Sequence, residues 1–186
     1  MFQKSLTPYA LVMPDKVDST TFLPATRSMA LRKSVWNELG GFNELYSHNE
    51  DYVFARKIRA SGKKIVFTKE AIVKWIPRST LKQAFIMFFR FAYGDAESKQ
   101  WRPKVVFIFL RYIVGILLLL EYFKTGNISF LFVVVVFLIF YIVWSIVKNY
   151  RYVNDYRGFF YLPLFQFTSD IAVLIGTSIG IIKSSK

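Results

Sequence analysis

Glu50 and Asp51 stand side by side at the head of HNEDYVFARKIRASGKK, residues 48 to 64, a stretch that is otherwise basic. Two chemistries use such a pair. Carboxylates in the first turn of a helix meet the positive end of the macrodipole, which stabilises by about 0.3–1 kcal/mol. A carboxylate held where a loop enters a helix can instead stand in an open cleft and act as a general base, provided a hydroxyl comes within hydrogen-bond reach. His48, the one histidine in the chain, reads as a polar loop residue beside the pair.

The elements that would position these acids follow from the punctuation around them. ALRKSVWNELGGF reads as a helix closed by Gly40 and Gly41, because glycine takes the left-handed conformation that ends a helix. NEDYVFARKIRASG reads as a second helix, with Asn49 as its cap and Gly62 past its end. Val53, Phe54 and Ile58 form the buried stripe, leaving Arg56, Lys57 and Arg59 to solvent. KIVFT and AIVKW, separated by Lys69 and Glu70, read as two short strands. The order α, α, β, β predicts part of an α/β layer. After Pro77, RSTLKQAFIMFFRFAYGDAESKQW has Ser79 as a cap and is apolar nearly all round from Leu81 to Tyr93, with Lys82, Gln83 and Arg90 as its polar exceptions. Such a helix fits the membrane interface, lying flat with its cations toward headgroups.

The rest of the chain is too apolar for an ordinary soluble domain: 54% of the 186 residues are hydrophobic and 19% aromatic. Three stretches approach the ~20 residues a helix needs to cross a bilayer, near 105–123, 128–147 and 161–182. The middle one carries no charge; the first holds Arg111 and the third Asp170, residues that pair for structure or line a polar path. Gly176 and Gly180 in the third form a G-x-x-x-G that lets helices approach closely. MFQKSLTPYALVMPDK has no sustained apolar core, so no cleavable signal peptide is expected and the front half stays in the cytoplasm. Lys148, Arg151 and Arg157 between the second and third stretches, against Lys124 between the first and second, agree with that side. An odd number of crossings then leaves Lys183 and Lys186 outside, a conflict that a re-entrant third stretch removes. The net charge of +13 is concentrated beside the membrane stretches, as with Lys99, Arg102 and Lys104, which points to anionic lipid and not to nucleic acid. The absence of cysteine fits a reducing compartment without requiring one.

FLPATRSMALRKSVWNELGGFNELYSHNEDYVFARKIRASGKKIVFTKEAIVKW resembles the second half of the catalytic domain of glycosyltransferase family 2: a GGF turn, a short loop, an acidic pair opening a helix that closes at ASG, then two strands. The resemblance covers about residues 20 to 100 and implies part of a GT-A fold of α/β class. It also implies an inverting sugar transfer from a nucleotide-sugar donor to a lipid-linked or polysaccharide acceptor at the cytoplasmic membrane of the cell envelope. Asp51 would be the base, with Glu50 second. An arginine of the interfacial helix contacts the diphosphate in that family; MFFRF, residues 87 to 91, matches the pattern only at Arg90, with Met87 and Phe91 at the other marked places. Arg78 is a similar phosphate contact, and Trp75 stands where many relatives have histidine, as packing or sugar stacking. The family's Asp-x-Asp motif, which holds a divalent Mg or Mn on the donor diphosphate, has no counterpart: DKVD, residues 15 to 18, has the wrong spacing.

The division expected is therefore 1–78 as the C-terminal part of a catalytic domain, 79–103 as an interfacial helix, and 104–186 as a membrane region. On this reading the chain is the later part of a longer enzyme and does not transfer sugar alone. The alternatives are a non-catalytic membrane subunit that docks on a separate nucleotide-binding half, and an anchor with no sugar chemistry.

Overall fold

The structure, a computed structural model, describes residues 1–184; Lys186, used in the charge reading above, lies outside them. The described residues form seven α-helices: α1 (Phe2–Ala10), α2 (Lys33–Leu39), α3 (Glu50–Ala60), α4 (Leu81–Glu97), α5 (Pro103–Thr125), α6 (Ile128–Val153) and α7 (Gly158–Ser184). Short 3-10 turns occur at Pro14–Lys16 and Thr26–Ser28.

Among the described residues there is no strand and no sheet, so the expected α/β layer and the partial GT-A fold are not present. KIVFT and AIVKW lie outside regular structure. The first still alternates, with Ile65 and Phe67 half-buried and Lys64, Val66 and Thr68 exposed. Alternation is a local property, whereas a strand exists only when a neighbour completes its hydrogen-bond ladder, and neither segment finds one. Val66, Ile72, Val73 and Ile76 are left exposed as a result.

The helices follow their local signals. Gly40 (φ 73°) and Gly41 (φ 61°) take the left-handed conformation that ends α2. The Gly41 amide donates to the Trp36 carbonyl, and the Trp36 ring packs on Phe42 and Phe54. In α3, Phe54 and Ile58 of the expected stripe are buried together with Ala55, Val53 is only half-buried, and Arg56, Lys57 and Arg59 are exposed. The α4 cap is Thr80 and not Ser79: Thr80 Oγ1 accepts from the Gln83 amide at 3.2 Å, while the Ser79 amide donates back to Gln83 Oε1 at 3.3 Å.

α5, α6 and α7 are each long and apolar enough to cross a membrane. Pro103 starts α5, Gly126 (φ 68°) and Asn127 turn the chain into α6, and Asn154 (φ 45°) ends it.

The core lies where α4 runs alongside α7, in the same chain direction. Leu6 from α1, Ala84, Met87 and Phe88 from α4, and Phe165 and Ala172 from α7 form one buried cluster, each large side chain contributing about 1.5–3 kcal/mol. Further along, Gly176 and Gly180 admit the α4 backbone: a Cβ on Gly176 would lie 2.6 Å from the Phe89 carbonyl oxygen, and one on Gly180 2.7 Å from that of Tyr93. The G-x-x-x-G is thus a packing seam between α7 and α4.

α5 and α6 meet α7 at a polar knot. Arg111 pairs with Asp170 at 2.8 Å, Tyr112 and Tyr141 donate their hydroxyls to the same carboxylate, and Gln166 donates to its other oxygen at 3.1 Å. Asp170 is buried and the Arg111 guanidinium lies over the Tyr141 ring, 3.9 Å from its centre. The charges of the first and third apolar stretches are therefore paired with each other.

Candidate functional site

A cleft of about 650 Å³ opens between the loop that leads into α3, the 3-10 turn at 26–28, the extended segment before α4, and the outer face of α4. Its wall contains Glu50, Asp51, Trp75, Arg78 and Arg90, residues far apart in sequence that are brought to one place. Met87 and Phe91, at the two mismatched places of the arginine pattern, line the same wall.

Asp51 is half-buried at the start of α3 and faces the turn at 26–28. The Thr26 amide and hydroxyl both donate to its Oδ2 at 3.1 Å, and the Tyr52 amide donates to Oδ1 at 2.8 Å. One of its oxygens thus does cap-like work on a first-turn amide while the other is clamped by Thr26. A carboxylate oxygen has two lone pairs, so Oδ2 is filled by the two Thr26 bonds, which orient the group, and Oδ1, with one bond, keeps capacity for a further donor. Glu50 takes no hydrogen bond or ion pair among the described residues and is the less constrained of the two.

The loop that presents the pair is anchored from below. Asn49 sits at the cap position in the left-handed conformation (φ 71°), yet its side chain does not cap α3; its Nδ2 donates to Asp95 Oδ1 at 2.8 Å. Arg102 grips the same carboxylate at 2.8 Å and lies over the Tyr52 ring. Ser47 donates through its amide (2.9 Å) and hydroxyl (2.8 Å) to Glu97 Oε2, while Lys183 at the end of α7 reaches Glu97 Oε1 at 3.1 Å. Burial alone would raise the Glu97 pKa, but the bonds from Ser47 and Lys183 outweigh it and hold the carboxyl below its usual value. Gly94 lets the loop settle on α4, since a Cβ there would stand 2.9 Å from the Cβ atoms of both His48 and Asn49.

Electrostatically the cleft is divided. Arg78 and Arg90 make no ion pair among the described residues, although two carboxylates share their cleft. Arg27, a third guanidinium in the wall, lies over the Trp75 ring at 5.6 Å. His48 has its pKa lowered, first by burial and then by the charge of Arg90, and its Nδ1 is buried without a hydrogen-bond partner. Sequence reading did not find Arg27: nothing local marks it, and it reaches the cleft only through the turn that Asp51 clamps. His48, a loop residue as expected, lines the wall as well.

Three guanidinia that make no ion pair among the described residues suit a ligand with several negative oxygens, an indole suits a sugar face, and a clamped carboxylate suits proton abstraction. A divalent metal was expected with such a ligand. Among the described residues no group of three or more His, Cys, Asp or Glu could hold one, and Asp51 is already engaged by Thr26 and Tyr52. The residues present do not fit a metal site.

Residues 20–168 match the family model described as glycosyl transferase family 21. With three helices apolar enough to cross a membrane, the chain is a membrane-associated glycosyltransferase. It belongs to glycosyl transferase family 21 and not to family 2, which corrects the narrower resemblance drawn from the acidic pair and its flanks. No curated protein and no solved structure matches the chain. Membership of a glycosyltransferase family implies a nucleotide-sugar donor and an acceptor.

Proposed function

We propose that the cleft is the place of sugar transfer and that the reaction inverts the anomeric centre, moving a sugar from a nucleotide-sugar donor to a lipid-linked or polysaccharide acceptor at the cytoplasmic face of the membrane. Asp51 accepts the proton of the acceptor hydroxyl; the freed oxygen attacks the anomeric carbon; the bond from that carbon to the diphosphate breaks, and its electron pair leaves with the diphosphate. Arg78 and Arg90, joined by Arg27, bind the leaving oxygens, and Trp75 carries the sugar ring on its face. The observation that supports this reading best is the cleft that sets a clamped carboxylate among three guanidinia in no ion pair. The divalent metal expected for the complete enzyme would be held by residues other than those of this cleft, and no step above uses it.

The test is saturation-transfer NMR on the full chain in nanodiscs, with nucleoside diphosphates and their sugar conjugates as probes. Transfer to the probe, lost in an Arg78→Ala/Arg90→Ala double variant that remains folded, is the expected result. Binding that the double variant leaves unchanged overturns the assignment of those arginines.

The second reading is a membrane subunit that docks on a separate nucleotide-binding half. It is favoured by Ile72 and Ile76, each 81% exposed in a segment outside the membrane helices, which a partner would cover. Turnover by the purified chain alone would remove it.

A further inference from the structure

We infer that only α5 and α6 cross the bilayer, and that α7 lies in the plane of its surface, with an isoleucine stripe against the lipid and the neighbouring face on α4. This goes beyond the reaction and does not depend on it.

By length α7 suffices to cross, since 27 residues rise about 40 Å against a hydrocarbon layer of about 30 Å. Its two ends, however, are tied to the same polar layer. Near its start, Tyr9 of α1 donates to the Leu162 carbonyl at 2.8 Å and Phe2 packs on Phe165. Gln3 of that same helix donates to the Pro77 carbonyl at 2.8 Å, one residue before Arg78 in the cleft wall. At the other end Lys183 pairs with Glu97, which holds Ser47, also in the cleft wall. Between those ends α4 lies along α7, carrying the cleft on its far side. A crossing α7 would draw Arg78, Arg90, Glu50 and Asp51 to hydrocarbon depth, where a charge is costly, and Arg78, Arg90 and Glu50 have no ion-pair partner there. A helix lying in the interface leaves them all in water.

The surface of α7 agrees. Ile171, Ile175, Ile179 and Ile182 recur at helical spacing and are 42–62% exposed, while Ala172, Gly176 and Gly180 on the neighbouring face are buried, the two glycines against α4. In the most apolar windows of α5 and α6, 0% and 6% of residues are buried, against 44% for α7: the first two are half-covered along one side only and otherwise exposed, while the third is held against the rest of the protein over much of its length.

Lipid is the occupant of the stripe because α5 and α6, which expose the longest apolar surfaces, join α7 at the Arg111–Asp170 knot, one residue before Ile171 where the stripe begins. Tyr156, Arg157, Phe159 and Phe160 at one end, and Lys183 at the other, are the aromatic and basic flanks of an interfacial helix. Two crossings also return Lys183 to the side of Lys148, Arg151 and Arg157, leaving Lys124 alone opposite.

The chain has no cysteine, so single-cysteine variants of the full chain report topology directly. Asn127→Cys, Tyr156→Cys and Ser184→Cys in sealed vesicles of one orientation are treated with a membrane-impermeant maleimide. Positions 156 and 184 labelled from one face and 127 from the other is the expected result; position 184 labelled together with 127 overturns the inference. Ile175→Cys carrying an environment-sensitive fluorophore then separates a flat helix from a re-entrant one. Stronger quenching by lipids brominated near the headgroup than by lipids brominated near the chain end supports the in-plane helix, and the reverse order overturns it. Ile179→Cys serves in the same way should the first variant leave the membrane fraction.

Discussion

Glu97→Ala should loosen the loop that presents the acidic pair, and the structure gives the size of the effect. Glu97 is 9% exposed and accepts from the Ser47 amide, the Ser47 hydroxyl and the Tyr93 hydroxyl, while Lys183 neutralises it. Hydrogen bonds to a charged group contribute about 1.5–3 kcal/mol each. Two such bonds from Ser47 set an upper figure near 6 kcal/mol, but Ser47 is exposed and regains water when released. The Lys183 side chain, 58% exposed, adds little. The remainder is a loss of about 2–3 kcal/mol, read as a lowered denaturation midpoint in detergent. Function should fall further than stability, because a displacement of about 1 Å at a reacting group can cost about 100-fold in rate. Glu97→Gln, which keeps an acceptor for Ser47, should recover most of the stability. A Glu97→Ala protein within about 0.5 kcal/mol of the parent, the size of an ordinary surface change, would refute the anchoring role.

Gly180→Val should separate α4 from α7, since its Cβ would lie 2.7 Å from the Tyr93 carbonyl oxygen and 2.8 Å from the Ala96 Cβ; thermal unfolding should show a loss of about 1–3 kcal/mol. Gly115→Val, where no atom lies within 4 Å, is the control and should change stability little. His48 resists protonation in the folded chain, through burial first and Arg90 second. As pH falls through the ordinary histidine value of 6.5, the unfolded chain takes up a proton that the folded chain refuses, so stability drops from there toward the lower folded value. His48→Gln should flatten that part of the stability–pH curve.

What could be read in advance was what is local. Gly40, Gly41 and Gly62 end helices wherever they fall, and the buried stripe of α3 needs only its own spacing. The strand reading failed because alternation at 63–67 says which residues face inward and nothing about whether a neighbour will pair. α1 went unread although Phe2, Leu6 and Tyr9 fall on one helical face; its nine residues and Pro8 hide the period. At the cleft, the acidic pair, Trp75, Arg78 and Arg90 could be singled out by type and place. Arg27 could not, because only the clamp from Thr26 to Asp51 brings its turn there. Asn49 had the right position and the wrong partner, its side chain reaching Asp95 across 46 residues of sequence.

The most direct measurement is single-turnover sugar transfer by Asp51→Asn, beside the parent, in a membrane preparation whose parent form turns over, with nucleoside diphosphate affinity determined on the same samples. Asn keeps acceptor and shape but cannot take the proton. Affinity unchanged within about twofold and transfer slowed by about 10²–10⁴ is the expected pair of results. Transfer at the parental rate by a folded Asp51→Asn protein would contradict a proton-accepting Asp51.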